Sequence, residues 1–320
     1  MKNISSYFNL PNGKGHKSYN FVDVNLFKDN RLFIDALLCQ CRNDKYSIEA
    51  QKTLDSFMKN IFSSIKNCEI EKQKYLLSNF DEVKETYLGM SMFSNYGKGA
   101  SYEILLPIFK KAMEVLGETT GVALIPVVAD NFDKDRMSDL ISRLCLKVLY
   151  EFTISECEKH NIPLSEKEHD IGYYWCLKNN EWALLRGRIP TYNGKPTLFT
   201  PKSWVCSSSI LNPQSFLSVE WAAYRQLVHL NEKSSLSQYF TKDGKVDYKK
   251  PSKVDVKLHD LSGKVYKDVI CGFVKMDVGQ DYLNKFFERK YKSIEDSLQQ
   301  LSDEELDKKI YDLEILKEAI

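Results

Sequence analysis

Four aspartates, Asp130, Asp133, Asp135 and Asp139, fall within ten residues of one another, directly after the apolar run VALIPVVA at 122–129. Carboxylates at the end of a buried strand offer a divalent cation such as Mg²⁺ the hard oxygen ligands it prefers. The cation in turn neutralises charge on a reacting phosphate. Asp130, Asp135 and Asp139 are therefore the candidate catalytic and metal-ligating residues. Asp35, inside the apolar run RLFIDALL at 31–38, is a further catalytic candidate, and Asp23 lies in a similar setting. A carboxylate buried without a partner is costly, so each demands an explanation. A structural explanation competes: an acid suits the first turn of a helix, and Arg143 stands four residues after Asp139, where the two can pair.

A second set of residues suits phosphate. SNYGKGAS at 94–101 precedes a helical pattern, and backbone N–H groups at such a helix start hold anions. Gly97, Lys98, Gly99 and Ser101 are the candidate phosphate-binding residues, with Ser101 as helix cap the plain alternative. Gly-Lys-Gly-Ala-Ser is not a Walker sequence. Gly13-Lys14-Gly15 is a similar loop near the N-terminus. Asp255-x-Lys257 fits half of a restriction-type nuclease motif, in a segment read as a strand. Arg225-x-x-x-His229 resembles the Arg/His pairs of helical HEPN-type ribonucleases, one residue short of their spacing. Cys39-x-Cys41 and Cys157-x-x-His160 have ligand-like spacing, but neither has the second pair a zinc site needs.

These residues need elements to position them. Alternation predicts strands at 19–26 and 31–38. Helical spacing predicts helices at 47–65, 69–88 and 101–116. The run 122–129 reads as a central strand, with Pro126 as the objection. A long helix is expected from Asp139 to about His160, capped by Ser138. Strands follow at 170–178, 181–191 and 195–205, with Asn193-Gly194 a hairpin turn. A helix is expected at 214–230. Strands at 254–259 and 264–273 join through Ser262-Gly263, and Asp243-Gly244 marks another turn. From Tyr282 the chain is helical, with a capping box at 302–305. The fold class is mixed α and β (α+β): an N-terminal α/β half at 1–165, a β-rich region with one helix at 166–278, and C-terminal helices at 279–320.

Composition bounds the function. The chain has 320 residues, 45 Lys and Arg against 44 Asp and Glu, and a net charge of +1. No global field attracts nucleic acid or an anionic membrane, so any nucleic-acid contact is expected through a local patch, such as Lys249 to Lys257. No apolar run approaches the roughly 20 residues of a membrane helix, and no secretory leader is evident, so a cytoplasmic protein is expected. The eight cysteines are scattered in apolar segments and are expected as buried, reduced thiols. The four tryptophans, all at 175–221, are expected in the core.

Three stretches, 21–38, 88–105 and 129–164, together resemble a loosely defined set of bacterial proteins from mobile, defence-type gene islands. Ala36 stands where that pattern has Pro, and Asn131 and Asp133 replace its glycines, while Asp135, Arg136, Ser138 and Asp139 match. The resemblance implies an immunity context and no particular reaction. The expected function is a Mg²⁺-dependent nuclease or other phosphodiester-acting enzyme of antiphage defence. The alternative is a non-enzymatic binding or regulatory subunit that recruits an effector, with a protein partner or a second copy docking on the C-terminal helices.

Overall fold

The computed structural model describes residues 3–10, 15–28, 30–89, 101–118, 121–243, 245–296 and 301–311. It is a mixed α and β protein in which helices form the core and short antiparallel ladders lie against or project from it.

The N-terminal half holds α1 (Ile4–Tyr7), β1 (Phe33–Ile34), α2 (Ala36–Gln40), α3 (Lys45–Lys66), α4 (Ile70–Leu76), α5 (Tyr102–Leu116), α6 (Ile125–Val128), α7 (Lys134–Leu144) and α8 (Leu146–His160). The central helix α3 follows directly from sequence. Asp44 caps it by accepting from Tyr46 and Ser47, and Leu54, Phe57, Met58, Ile61 and Ile65 make the buried stripe.

Several expectations fail here for identifiable reasons. The segment 19–26 forms isolated bridges, Phe21 to Pro201 and Asn25 to Asn3, instead of a strand. The helix expected over 69–88 ends at Leu76. VALIPVVA is helical, a 3₁₀ turn at Val122–Leu124 running into α6. Pro126 sits in the first turn of α6, where a missing N–H costs nothing. An all-apolar run has no period with which to distinguish a buried helix from a buried strand. The long helix expected from Asp139 is two helices meeting at Cys145, and its cap is Asp133, not Ser138.

The middle holds β2 (His169–Cys176) and β3 (Glu181–Gly187), an antiparallel pair, and β4 (Thr191–Tyr192) with β5 (Lys195–Pro196) around Asn193-Gly194, as expected. β6 (Val205–Cys206) returns to pair with β1. Trp175 and Trp182 pack edge-to-face, 5.8 Å apart, and each finds a polar partner on the helices, Ser56 and the Leu76 carbonyl. All four tryptophans are buried.

A long helical segment follows: α9 (Pro213–Phe216), a π-helical stretch at Leu217–Trp221, and α10 (Ala222–Asn231). The hairpin β7 (Gln238–Lys242) and β8 (Lys245–Lys249) comes next. The strands expected at 254–259 and 264–273 are instead α11 (Lys253–Asp260) and α12 (Tyr266–Val274). The tail is α13 (Asp277–Glu295) and α14 (Asp303–Ile310), the latter opened by the Ser302–Glu305 capping box. Buried residues from Ile4 to Ile310 form one hydrophobic cluster.

Candidate functional site

The aspartates singled out from sequence are divided by the fold. Asp133 caps α7 by accepting from the Arg136 amide. Asp130 is exposed at the turn before it and faces Lys267, whose ammonium burial pulls down and Asp130 pushes back up. Asp135 and Asp139 lie together on α7. Burial pushes the Asp135 carboxyl up, with Asp133 and Glu82 adding to it. Burial, Asp135, Glu82 and Asp133 push Asp139 up to about 7, against the pull of Arg143. Arg143 is held by the Asp81 carbonyl at 2.8 and 3.0 Å.

Asp35 is a structural acid. It caps α2 through the Leu37 amide at 2.9 Å and accepts from the Ile210 amide at 3.1 Å, joining β1 to the loop after β6. Burial raises its carboxyl, and those backbone donors oppose the rise. Asp23 is likewise satisfied, by Ser5 and by the Tyr311 hydroxyl at 2.6 Å. Gly97, Lys98 and Gly99 lie outside the described residues. Ser101 stands at the N-cap of α5 without a side-chain capping bond. Asp255 and Lys257 fall on α11, where Asp255 bonds Ser252 and Lys257 reaches Ser218.

A different constellation forms where α10 meets α11. The Asp260 carboxylate accepts from Arg225 Nε at 2.5 Å, from His259 Nδ1 at 2.8 Å and from His229 Nε2 at 3.1 Å. Burial pushes this carboxyl up, but hydrogen bonds from Arg225, His259 and His229 outweigh it and hold it at about 2. Among the described residues, His229, His259 and Asp260 are the one group of three metal-type ligands whose atoms lie within 4.8 Å of one another. The Asp130, Asp135 and Asp139 trio does not form such a group.

The two histidines differ. His229 is buried and both its nitrogens are engaged, Nε2 by Asp260 and Nδ1 by Ser234 at 2.8 Å. It fixes Asp260. His259 is 59% exposed at its side chain, and only its Nδ1 makes a hydrogen bond to the described residues. Asp260 therefore sets the tautomer and direction of His259 and leaves Nε2 for a substrate, the arrangement of an oriented acid–base imidazole. Arg225 spends Nε on Asp260, and its remaining N–H groups suit an anion.

The same cluster anchors an exposed hairpin. Ser237, just before β7, bonds the His229 carbonyl at 2.8 Å, and Gln226 holds the Pro251 carbonyl after β8. Tyr239 is 74% exposed and Phe240 43%. Between residues 233 and 267 there are nine lysines and four aspartates. Lys253, Lys257 and Lys267 turn back onto the protein, to Val219, Ser218 and Ala129, and the other six leave the hairpin and its flanks locally basic. Arg225 and His229 were visible as a helical pair. His259 and Asp260 were missed because a strand would send neighbouring side chains to opposite faces. The adjacency of His and Asp at the end of a short amphipathic segment was the available signal.

Residues 12–212 match the family described as a domain of unknown function, DUF8370. The chain belongs to that family. The family match takes in the α7 aspartates and ends before the Arg225–His229–His259–Asp260 cluster. No curated protein and no solved structure matches the chain. No helix among the described residues is long and apolar enough to cross a membrane.

Proposed function

We propose that the chain is a phosphodiester-acting enzyme whose reacting groups are His259 and Arg225, and that its substrate is RNA. The observation that carries this is Asp260 bonding Nδ1 of an exposed imidazole and Nε of an arginine at once. RNA supplies its own nucleophile, the 2′-hydroxyl, so no metal is needed to generate one. His259 Nε2 takes the 2′-hydroxyl proton as that oxygen attacks phosphorus. Arg225 stabilises the charge on the phosphoryl oxygens, and the 5′-oxygen leaves as a hydroxyl, taking a proton from water, which gives a 2′,3′-cyclic phosphate and leaves the imidazolium to return its proton to solvent. The lysine-rich hairpin with Tyr239 and Phe240 suits single-stranded RNA, through phosphate attraction and base stacking. The sequence resemblance supports an antiphage setting.

A second reading keeps a Mg²⁺-dependent nuclease at Asp135 and Asp139, without Asp130, which the fold sets beside Lys267. It is favoured by the gathering of Asp135, Glu82 and Asp133 around Asp139, which adds to burial in raising that carboxyl to about 7; a divalent cation would relieve the like-charge part. One assay separates the two. Single-stranded RNA and its all-deoxy counterpart are incubated with the protein in excess chelator or in Mg²⁺. The expected result is cleavage of RNA alone, in chelator, ending in cyclic phosphate, and lost in His259→Ala by about 10²-fold or more. Cleavage that needs Mg²⁺ and is lost in Asp139→Asn, but not in His259→Ala, selects the second reading. No cleavage under either condition removes both and leaves the non-enzymatic binding subunit.

A further inference from the structure

A cavity of about 610 Å³ opens among α2, α3, the turn before α6 and α13. Its polar wall is unusual in composition: the side-chain amides of Gln40, Asn43, Gln51, Gln280 and Asn284 and the carboxylate of Asp55. Phe287 and Tyr291 supply aromatic surface beside them. Among the described residues that line it there is no lysine or arginine, so nothing there complements a phosphate or carboxylate. Amides offer a donor and an acceptor side by side, which matches the edge of a nucleobase, and flat rings offer it a stacking face.

The cavity also carries a directional preference. Gln280 Nε2 donates to the Val115 carbonyl at 3.2 Å and to the Val274 carbonyl at 2.8 Å. Its amide is thereby fixed, and Oε1 is the atom left to accept. Asp55, when ionised, only accepts. With Asp55 on α3 and Gln280 on α13, the cavity wall carries two acceptors, which suits a ligand edge that carries more than one donor. Among the common bases guanine offers this, through N1–H and its amino group.

We propose that this cavity binds a nucleoside by its base, with guanine preferred. The site lies on other elements than the Arg225–Asp260 cluster, and its occupancy does not depend on RNA cleavage. The test is isothermal titration calorimetry on the full chain with guanosine, adenosine, cytidine and uridine, and with glucose as an uncharged polar control. Saturable binding is expected, with guanosine tightest and glucose silent. Asp55→Asn is expected to weaken guanosine by about tenfold or more, the loss of one charge-assisted hydrogen bond pair. Asn284→Ala is expected to weaken all four nucleosides. Both positions are exposed, so neither change removes core packing, and circular dichroism checks that each variant keeps its fold. The proposal is overturned by absence of saturable nucleoside binding, by glucose binding comparably, by adenosine matching guanosine, or by guanosine binding that both variants leave unchanged.

Discussion

Burial and three neighbouring acids push the Asp139 carboxyl up to about 7, whereas Asp260, which burial also pushes up, is held at about 2. The difference is donors. Asp260 accepts from an arginine and two histidines, while Asp139 has like charges around it and Arg143 is drawn off to the Asp81 carbonyl. The raised value has a definite consequence. Between about pH 4 and 7 the folded chain keeps a proton on Asp139 that the unfolded chain releases. The associated stability is fully present below the ordinary carboxylate range and lost as pH rises through 7. Asp139→Asn, which cannot ionise, is expected to melt with the wild type near pH 4 and several degrees above it at pH 8, measured by thermal denaturation across pH. A variant that melts no higher than wild type at pH 8 would show that Asp139 carries its charge there without strain. The grouping of Asp135 and Asp139 was legible in the sequence because both lie on one helix. The separation of Asp35 and Asp130 from them was not, since it depends on which long-range backbone donors each carboxylate meets.

Between α12 and α13 the chain reverses within three residues, and this reversal sets the floor of the nucleoside cavity through Gln280. It depends on Gly279. A methyl group at that position would stand 1.8 Å from the Phe273 carbonyl oxygen, a backbone atom that cannot swing aside. Gly279→Ala is therefore expected to destabilise the protein by about 1–3 kcal/mol or more through forced separation of the helices, although alanine is the better helix former. Chemical denaturation checks it, and a variant as stable as wild type would mean the two helices part at no cost. At this scale the sequence was legible where period and punctuation agreed. The buried stripe of α3, the Asn193-Gly194 hairpin and the Ser302–Glu305 box all stand as read. It misled where a segment was too short or too uniformly apolar to show its period. VALIPVVA has no polar face, and residues 253–274 break into helices of eight and nine residues, too short for alternation and helical spacing to be told apart. The error over 254–259 hid His259 and Asp260, so a mistake about an element became an omission at the site.

The molecule is tied end to end through α14. Leu306 and Ile310 are buried in the same cluster as the N-terminal segment and the central helices. Around them Asp307 bonds the His16 ring and backbone at 2.7 and 2.9 Å, Lys202 reaches Asp303 at 2.6 Å, and the Tyr311 hydroxyl holds Asp23. His16 is completely buried, and its other nitrogen accepts from the Asp23 amide at 3.0 Å. The last described helix thus closes over a polar knot that the first twenty-odd residues cannot satisfy alone. If that closure supports the whole fold, a change in α14 must be felt far along the chain. Leu306→Ala is expected to cost about 2–5 kcal/mol as a fully buried leucine. It should lower the melting point reported by the fluorescence of the buried tryptophans and that reported by far-ultraviolet circular dichroism by the same amount. Coincident shifts follow from one cooperative unit, since all four tryptophans lie between residues 175 and 221 and none is on α14. A fluorescence midpoint that stays in place while the helical signal loses a separate early phase would show instead that α14 is an appendage whose loss leaves the core standing.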